Sequence, residues 1–153
     1  MRKPLVSIII PTFNRAHLIG ETLNSVLAQT YPYWECIIID DGSTDNSKKI
    51  IGEYVKKDFR FHYYNRPKEK IKGLTSCRNY GFSLSKGDYI SWFDSDDLYF
   101  SNALETYINL FLKSTDVVVA RLEKVDLETG NKIGESKIIS NNIIEDYFIG
   151  KIS

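Results

Sequence analysis

From Leu5 onward the chain alternates between short apolar runs and stretches in which apolar residues recur every three or four positions. The run from Leu5 to Ile10 is short, rich in β-branched residues and closed by Pro11, the pattern of a strand buried on both faces. Leu18, Ile19, Thr22, Leu23, Val26 and Leu27 then fall at helical spacing, with Asn14 or Arg15 near the start. Glu35 to Asp40 predicts a second, Ile-rich strand, and Ser43 or Asp45 is placed to cap a helix that runs to about Lys57. Phe61 to Tyr64 is a short third strand. Asn65 to Gly73 is polar, basic and closed by glycine, which marks a loop.

Leu74 to Ser85 predicts another helix, with Gly87 as the glycine that often stands just past a helix end. Tyr89 to Phe93 follows as a fourth strand. Asn102 and Glu105 have the spacing of a capping box, opening a helix that carries Leu104, Tyr107, Ile108 and Phe111 on one side. Asp116 to Val125 and Lys132 to Ile139 read as strands around the turn Glu128-Thr129-Gly130-Asn131, and Ile143 to Ile149 as a helical turn or two. Strands alternating with helices predict an α/β fold: a mostly parallel sheet with helices on both faces. In such sheets ligands bind beyond the carboxyl ends of the strands. Three polar clusters follow directly on apolar runs and converge on that edge if the strands are parallel: Pro11 to Arg15, Asp40 to Asp45, and Asp94 to Asp97.

Composition narrows the partners. At 153 residues the chain is one domain in size, able to bury about 68 to 70% of its unfolded surface. Lysine plus arginine and aspartate plus glutamate each total 20, so no overall charge draws the protein to nucleic acid or an anionic membrane. Cys36 and Cys77 are too few for a disulfide scaffold, which fits a reducing, cytoplasmic setting. No apolar stretch reaches the ~20 residues of a spanning helix, and neither signal peptide nor anchor is expected.

Asp94, Asp96 and Asp97 crowd carboxylates at a strand end, where uncompensated charge is costly. Mg²⁺ or Mn²⁺ offers compensation, since such cations favour carboxylate oxygens and are completed by water and substrate phosphates. The plainer reading is a solvated acidic turn that caps the next helix. A calcium loop is excluded: Asp94, Asp96 and Glu105 fall at its first, third and twelfth positions, but Leu98 cannot ligate at the fifth and Tyr99 stands where glycine is invariant. An aspartyl-phosphate phosphatase also uses Asp-x-Asp after a strand and stays open as an alternative.

In the second cluster Gly42 supplies an unusual backbone angle, and Asp41 is placed to accept a hydrogen bond from a base such as uracil; an ordinary strand-to-helix turn needs no such role. Arg78, near a helix start, either meets a phosphate or pairs with an acidic cluster. His17 and His62 lack metal-ligand spacing.

Taken in order, Val6 to Arg15, Gln29-Thr30-Tyr31, Ile37 to Asp45, Arg78-Asn79-Tyr80-Gly81 and Gly87 to Asp97 resemble the family 2 glycosyltransferases. The resemblance covers residues 5 to about 120. It implies a GT-A fold and transfer of a sugar from a nucleotide-diphosphate sugar, UDP first among them, usually with inversion. It further implies that Pro11, Thr12, Phe13 and Asn14 line the nucleoside pocket and that Asp41 bonds the base. Arg78 lies beside the donor phosphates or sugar, Ser95 belongs to the nucleotide-binding set, Asp94 faces the ribose or the metal, and Asp96 binds the metal. The acceptor is a saccharide or a lipid-linked saccharide of a surface polysaccharide, with peripheral membrane association through that acceptor. In the family the chain continues past this point and carries its catalytic base there. Residues 1–153 are therefore expected to be a single GT-A domain incomplete at its C-terminus, with 1–100 holding nucleotide-sugar and metal and 101–153 beginning the acceptor part. Glu145-Asp146 looks like a substitute base, but the family's acidic pair lies after a longer acceptor-binding segment, and a non-catalytic nucleotide-binding module is the second class of reading.

Overall fold

The computed structural model describes residues 3–111, 123–125 and 132–135. Its centre is a four-stranded, wholly parallel sheet in the order β3-β2-β1-β4. The strands are β1 (Val6–Thr12), β2 (Trp34–Asp40), β3 (Phe61–Asn65) and β4 (Tyr89–Trp92), with helices α1 (Ile19–Leu27), α2 (Ser47–Lys57) and α3 (Leu74–Leu84) in the connections. Helix α4 (Ala103–Phe111) follows β4. The chain divides into two compact units, residues 1–108 and 109–153. In the second, β5 (Glu123–Val125) and β6 (Lys132–Glu135) pair antiparallel, within the two strands expected there. The rest of that expectation, including the helical turn at 143–149, lies outside the described residues.

The continuous isoleucine runs do what such runs do in a sheet covered on both faces: every residue of β1 and β2 is buried. Alternation divides them. Ile8, Ile10, Cys36 and Ile38 join Ile19, Leu23, Val26, Ile51, Leu104 and Ile108 in one core, whereas Ile37 and Ile39 meet Cys77, Tyr80 and Leu84 of α3 on the other face. Gly81 makes that second contact possible, because a Cβ there would lie 2.5 Å from Ile9 Cγ2. Cys36 and Cys77 are buried free thiols.

Four local expectations are corrected. Pro11 does not close β1 but sits inside it, opposite Ile39. The Thr12 carbonyl accepts from Asp41 on the β2 side and the Ile9 carbonyl from Phe93 on the β4 side. Alternation thus turns Pro11 toward β4, where strand pairing has ended at Ile9 and Trp92, so its missing N–H costs no ladder bond. Ser43 does not cap α2; its Oγ accepts from the Asn14 amide, while Asp45 accepts from the amide of Ser47, the first residue of the helix.

Gly87 does not end α3, whose C-cap is Ser85. A Cβ on Gly87 would meet Ser7 Oγ at 2.5 Å, and its amide donates to that oxygen at 2.8 Å, so close approach explains the glycine. Glu105 does not close a capping box with Asn102. Its carboxylate accepts from Thr30 Oγ1 at 2.9 Å, and the Asn102 carbonyl accepts from Thr106.

Candidate functional site

The parallel register carries the ends of β1, β2 and β4 to one edge of the sheet, and the loops that leave it are joined by side chains. Asn14 takes φ 51°, a left-handed conformation that asparagine tolerates better than most residues. Its amide donates to Ser43 Oγ at 2.9 Å and its Oδ1 accepts from the Thr44 amide at 2.8 Å. The Arg15 amide donates to Ser47 Oγ and the Ala16 amide to Asp45 Oδ2, both at 2.9 Å. Hydrogen bonds from the Ser47 side chain and then the Ala16 amide hold the Asp45 carboxyl below the ordinary carboxylate range. This stitching between the loops after β1 and β2 presents the Phe13 ring, 39% exposed, at the mouth.

Neighbouring aspartates at the end of β2 divide the work. Asp40 Oδ1 accepts from the amides of Gly42 at 3.0 Å and Ser43 at 2.7 Å, and its Oδ2 from Tyr63 Oη at 2.8 Å. Burial, then the bond to Asp40, pushes the Tyr63 hydroxyl pKa up. Asp40 is thus spent on shaping the turn, in which Gly42 takes the expected positive φ of 90°. Asp41 is buried and accepts from Arg66 Nε, while Arg66 is braced by the Pro67 and Lys70 carbonyls. The Cys77 thiol is pushed up to about 11, chiefly by burial and next by the charge of Asp41.

Past β4 the chain turns tightly, with the Asp97 amide on the Asp94 carbonyl at 3.2 Å. Ser95 is buried, and its carbonyl accepts from Thr22 Oγ1 of α1 at 3.1 Å, which fixes the turn against the helix. Arg78 Nη2 donates to Asp94 Oδ1 at 2.7 Å, and Arg15 Nη2 lies 3.6 Å from Asp96 Oδ2. The side chains of Asp94 and Asp96 are 49% and 45% exposed. Burial, then the charges of Asp94 and Asp96, raise the Asp97 carboxyl above its ordinary range. Thr12 Oγ1, Arg15 Nε and Arg78 Nε are buried with no hydrogen-bond partner.

The candidate residues therefore gather at one edge: Pro11, Thr12, Phe13 and Asn14 at the end of β1, Asp41 on its β2 side, and Asp94, Ser95 and Asp96 with Arg78 on its β4 side. Of the two readings of Arg78, pairing with an acidic cluster is the one displayed here. Glu145 and Asp146 lie outside the described residues. Arg15, Arg66 and Lys72 belong to the same edge without having been singled out; Lys72 Nζ rests 4.0 Å from the Phe13 ring centroid. A run of basic residues in the loop before α3 was the available sign for Arg66 and Lys72.

No three His, Cys, Asp or Glu side chains converge on a common point among the described residues. The two half-exposed carboxylates, Asp94 and Asp96, are what a cation that takes one or two carboxylates and fills its shell with water and phosphate would use. That donor set fits Mg²⁺ or Mn²⁺.

A parallel sheet that assembles an aromatic ring, arginines and carboxylates beyond its carboxyl edge is an α/β ligand-binding architecture, and similarity to known proteins places it in the GT-A glycosyltransferase fold. The chain matches the Glycosyl transferase family 2 model over residues 7–151 and belongs to that family, which removes the phosphatase reading. It is 36% identical to glycosyltransferase GlyG of Streptococcus pneumoniae over 83% of this chain and 42% of GlyG. It is 33% identical to the Escherichia coli UDP-Glc:alpha-D-GlcNAc-diphosphoundecaprenol beta-1,3-glucosyltransferase WfgD over 95% of this chain and 57% of WfgD. Residues 1–349 of S. aureus TarS in complex with UDP-GlcNAc superpose with a TM-score of 0.66 at 27% identity, covering 71% of this chain and 31% of that one. The chain thus spans about half the length of GlyG and WfgD, and 18% of an uncharacterized glycosyltransferase of Rickettsia felis to which it is 40% identical over 72% of this chain. Among the described residues no helix is long and apolar enough to cross a membrane.

Proposed function

We propose that the chain holds the donor side of a reaction in which a sugar passes from a UDP-sugar to a saccharide or lipid-linked acceptor, with inversion, in surface polysaccharide synthesis. The observation that carries this reading is the set of buried, partnerless polar atoms at the carboxyl edge, Thr12 Oγ1, Arg15 Nε and Arg78 Nε, ringed by carboxylates. Unpartnered donors beside carboxylates suit an anionic ligand such as a diphosphate, once the arginine side chains turn toward it. The UDP-Glc and GlcNAc-diphosphoundecaprenol for which WfgD is named, and the UDP-GlcNAc held by TarS, support a nucleotide sugar and a lipid-linked acceptor. Such an acceptor would bring the protein to the cytoplasmic face of a membrane peripherally.

Each residue then has a task. Phe13 and the backbone from Pro11 to Asn14 hold the nucleoside, with the ring as a face for the base. Asp41, braced by Arg66, accepts from the imide N–H of uracil. Asp94 and Ser95 border the ribose, and Asp96 with Asp94 would hold Mn²⁺ or Mg²⁺, which when bound supplies positive charge to the departing diphosphate. Arg15 and Arg78 add fixed positive charge beside the same group. Residues 1–100 form the donor part and 101–153 begin the acceptor part; no described residue is assigned as base toward the acceptor. Calorimetry tests the reading: UDP should bind in Mn²⁺ buffer more tightly than in excess chelator, and more tightly than GDP. Equal binding with chelator removes the metal, and a preference for GDP removes the assignment of the base.

A further inference from the structure

We propose that Arg15 and Arg78 are exchangeable counter-ions that couple metal binding to nucleotide binding, an inference that rests on the donor-site reading above. Both carboxylates assigned to the metal already carry a guanidinium: Arg78 on Asp94 at 2.7 Å and Arg15 on Asp96 at 3.6 Å. The two arginines come from different elements, Arg78 from α3 and Arg15 from the loop after β1. Arg78 Nη2 donates a hydrogen bond to Asp94, Arg15 Nη2 lies within ion-pair range of Asp96, and in both the Nε–H is buried with no partner. A guanidinium presents its donors as a planar fork, and the Nε–H of each fork is unused. An incoming diphosphate offers oxygen acceptors to the unused side.

The consequence is thermodynamic. A divalent ion arriving alone must displace both guanidinium groups from Asp94 and Asp96 and leave them without an anion. With a diphosphate present, the same arginines turn to phosphate oxygens as they release the carboxylates. Nucleotide therefore raises the affinity for the ion, and by linkage the ion raises the affinity for nucleotide by the same factor. The stitched loop that fixes the Arg15 backbone, through Ser47 Oγ at 2.9 Å, limits what must move to the side chain.

The test measures Mn²⁺ binding by the loss of its free-ion paramagnetic resonance signal, with and without saturating UDP. The full chain is compared with Arg15→Gln, Arg78→Gln, Arg15→Lys and, as a charge control at the other end of the sheet, Lys57→Gln. Each glutamine variant should bind Mn²⁺ alone a few-fold more tightly, the size expected for a half-exposed ion pair. The enhancement of Mn²⁺ affinity by UDP should fall, while Arg15→Lys keeps most of it and Lys57→Gln all of it. Thermal melts identify any variant that fails to fold, and the other arginine then decides. Wild-type synergy retained in both glutamine variants overturns the inference and leaves the donor site standing. Absence of UDP or Mn²⁺ binding in the wild-type chain overturns both.

Discussion

At the amino end of the sheet Glu35 accepts from Ser7 Oγ at 2.6 Å and from the Lys86 amide at 2.7 Å, and Ser7 Oγ in turn accepts from Gly87. At the carboxyl end Asp94 and Asp96 hold only arginine side chains and stand about half exposed. Glu35 is buried, and its partners include backbone that cannot leave, so its charge serves to lock β1, β2 and the turn before β4 together. The partners of Asp94 and Asp96 are long side chains able to swing away, so their charge stays available to a ligand. A hollow of about 380 Å³ at the amino end, lined by Pro32, Lys57, Asp58, Phe59 and Arg60, follows the first pattern: Asp58 accepts from the Arg60 amide at 3.0 Å, and the Arg60 guanidinium that pairs with it at 2.7 Å is held 3.7 Å from the Trp34 ring centroid. On the proposed function, what separates Glu35 from Asp94 and Asp96 is whether the partner is fixed backbone or a long side chain, rather than depth alone.

That contrast is open to attack by mutation. Glu35→Ala strands the Lys86 amide and Ser7 hydroxyl, and should cost about 2 to 3 kcal/mol in urea unfolding while leaving the UDP affinity of the folded protein unchanged. A loss of UDP binding with intact stability would reverse the roles of the two ends. Asp41→Ala should weaken UDP by about 1 to 3 kcal/mol in calorimetry, the range for a hydrogen bond to a charged group, and an unchanged affinity would take Asp41 out of the site. Asp96→Asn should leave unfolding free energy within about 0.5 kcal/mol of wild type, as for other exposed positions, yet abolish the metal dependence of UDP binding.

The smallest effect lies in acid. Hydrogen bonding holds Asp45 and Asp58 below the ordinary carboxylate range, with Arg60 as the main cause at Asp58. Their folded forms stay charged while the unfolded forms protonate near a pKa of about 3.9. The stabilisation they give is complete above that pH and is lost as pH falls through their lowered values. Asp58→Asn should therefore flatten the acid limb of a stability–pH curve and leave its neutral region with the same shape; an unchanged acid limb counts against the Asp58–Arg60 pair.

Both halves of the contrast were unequally legible in the chain. The isoleucine runs of β1 and β2 and the helical period from Leu18 to Leu27 are local patterns, and the elements they predict are present at nearly the expected bounds. Convergence of the polar clusters followed from parallel strands alone. What escaped the pattern was long-range pairing: Glu35 reads as one residue of an apolar strand, and nothing near Arg15 points to Asp96 across 81 positions. Arg66 lies 25 positions from Asp41, and only folding shows that it braces that carboxylate. Pro11 misled for a related reason, since whether a missing N–H ends a strand depends on which neighbour it faces.

The central claim, that the carboxyl edge of the sheet holds a nucleotide diphosphate with a divalent ion, is tested most directly by a crystal structure of the chain with UDP and Mn²⁺ soaked in. An anomalous manganese peak is expected against Asp96 and Asp94, with diphosphate oxygens within hydrogen-bond reach of Arg15 and Arg78 and uracil against Phe13 with its imide on Asp41. Nucleotide bound elsewhere, or bound at this edge with no metal peak while both arginines remain on their carboxylates, would contradict it.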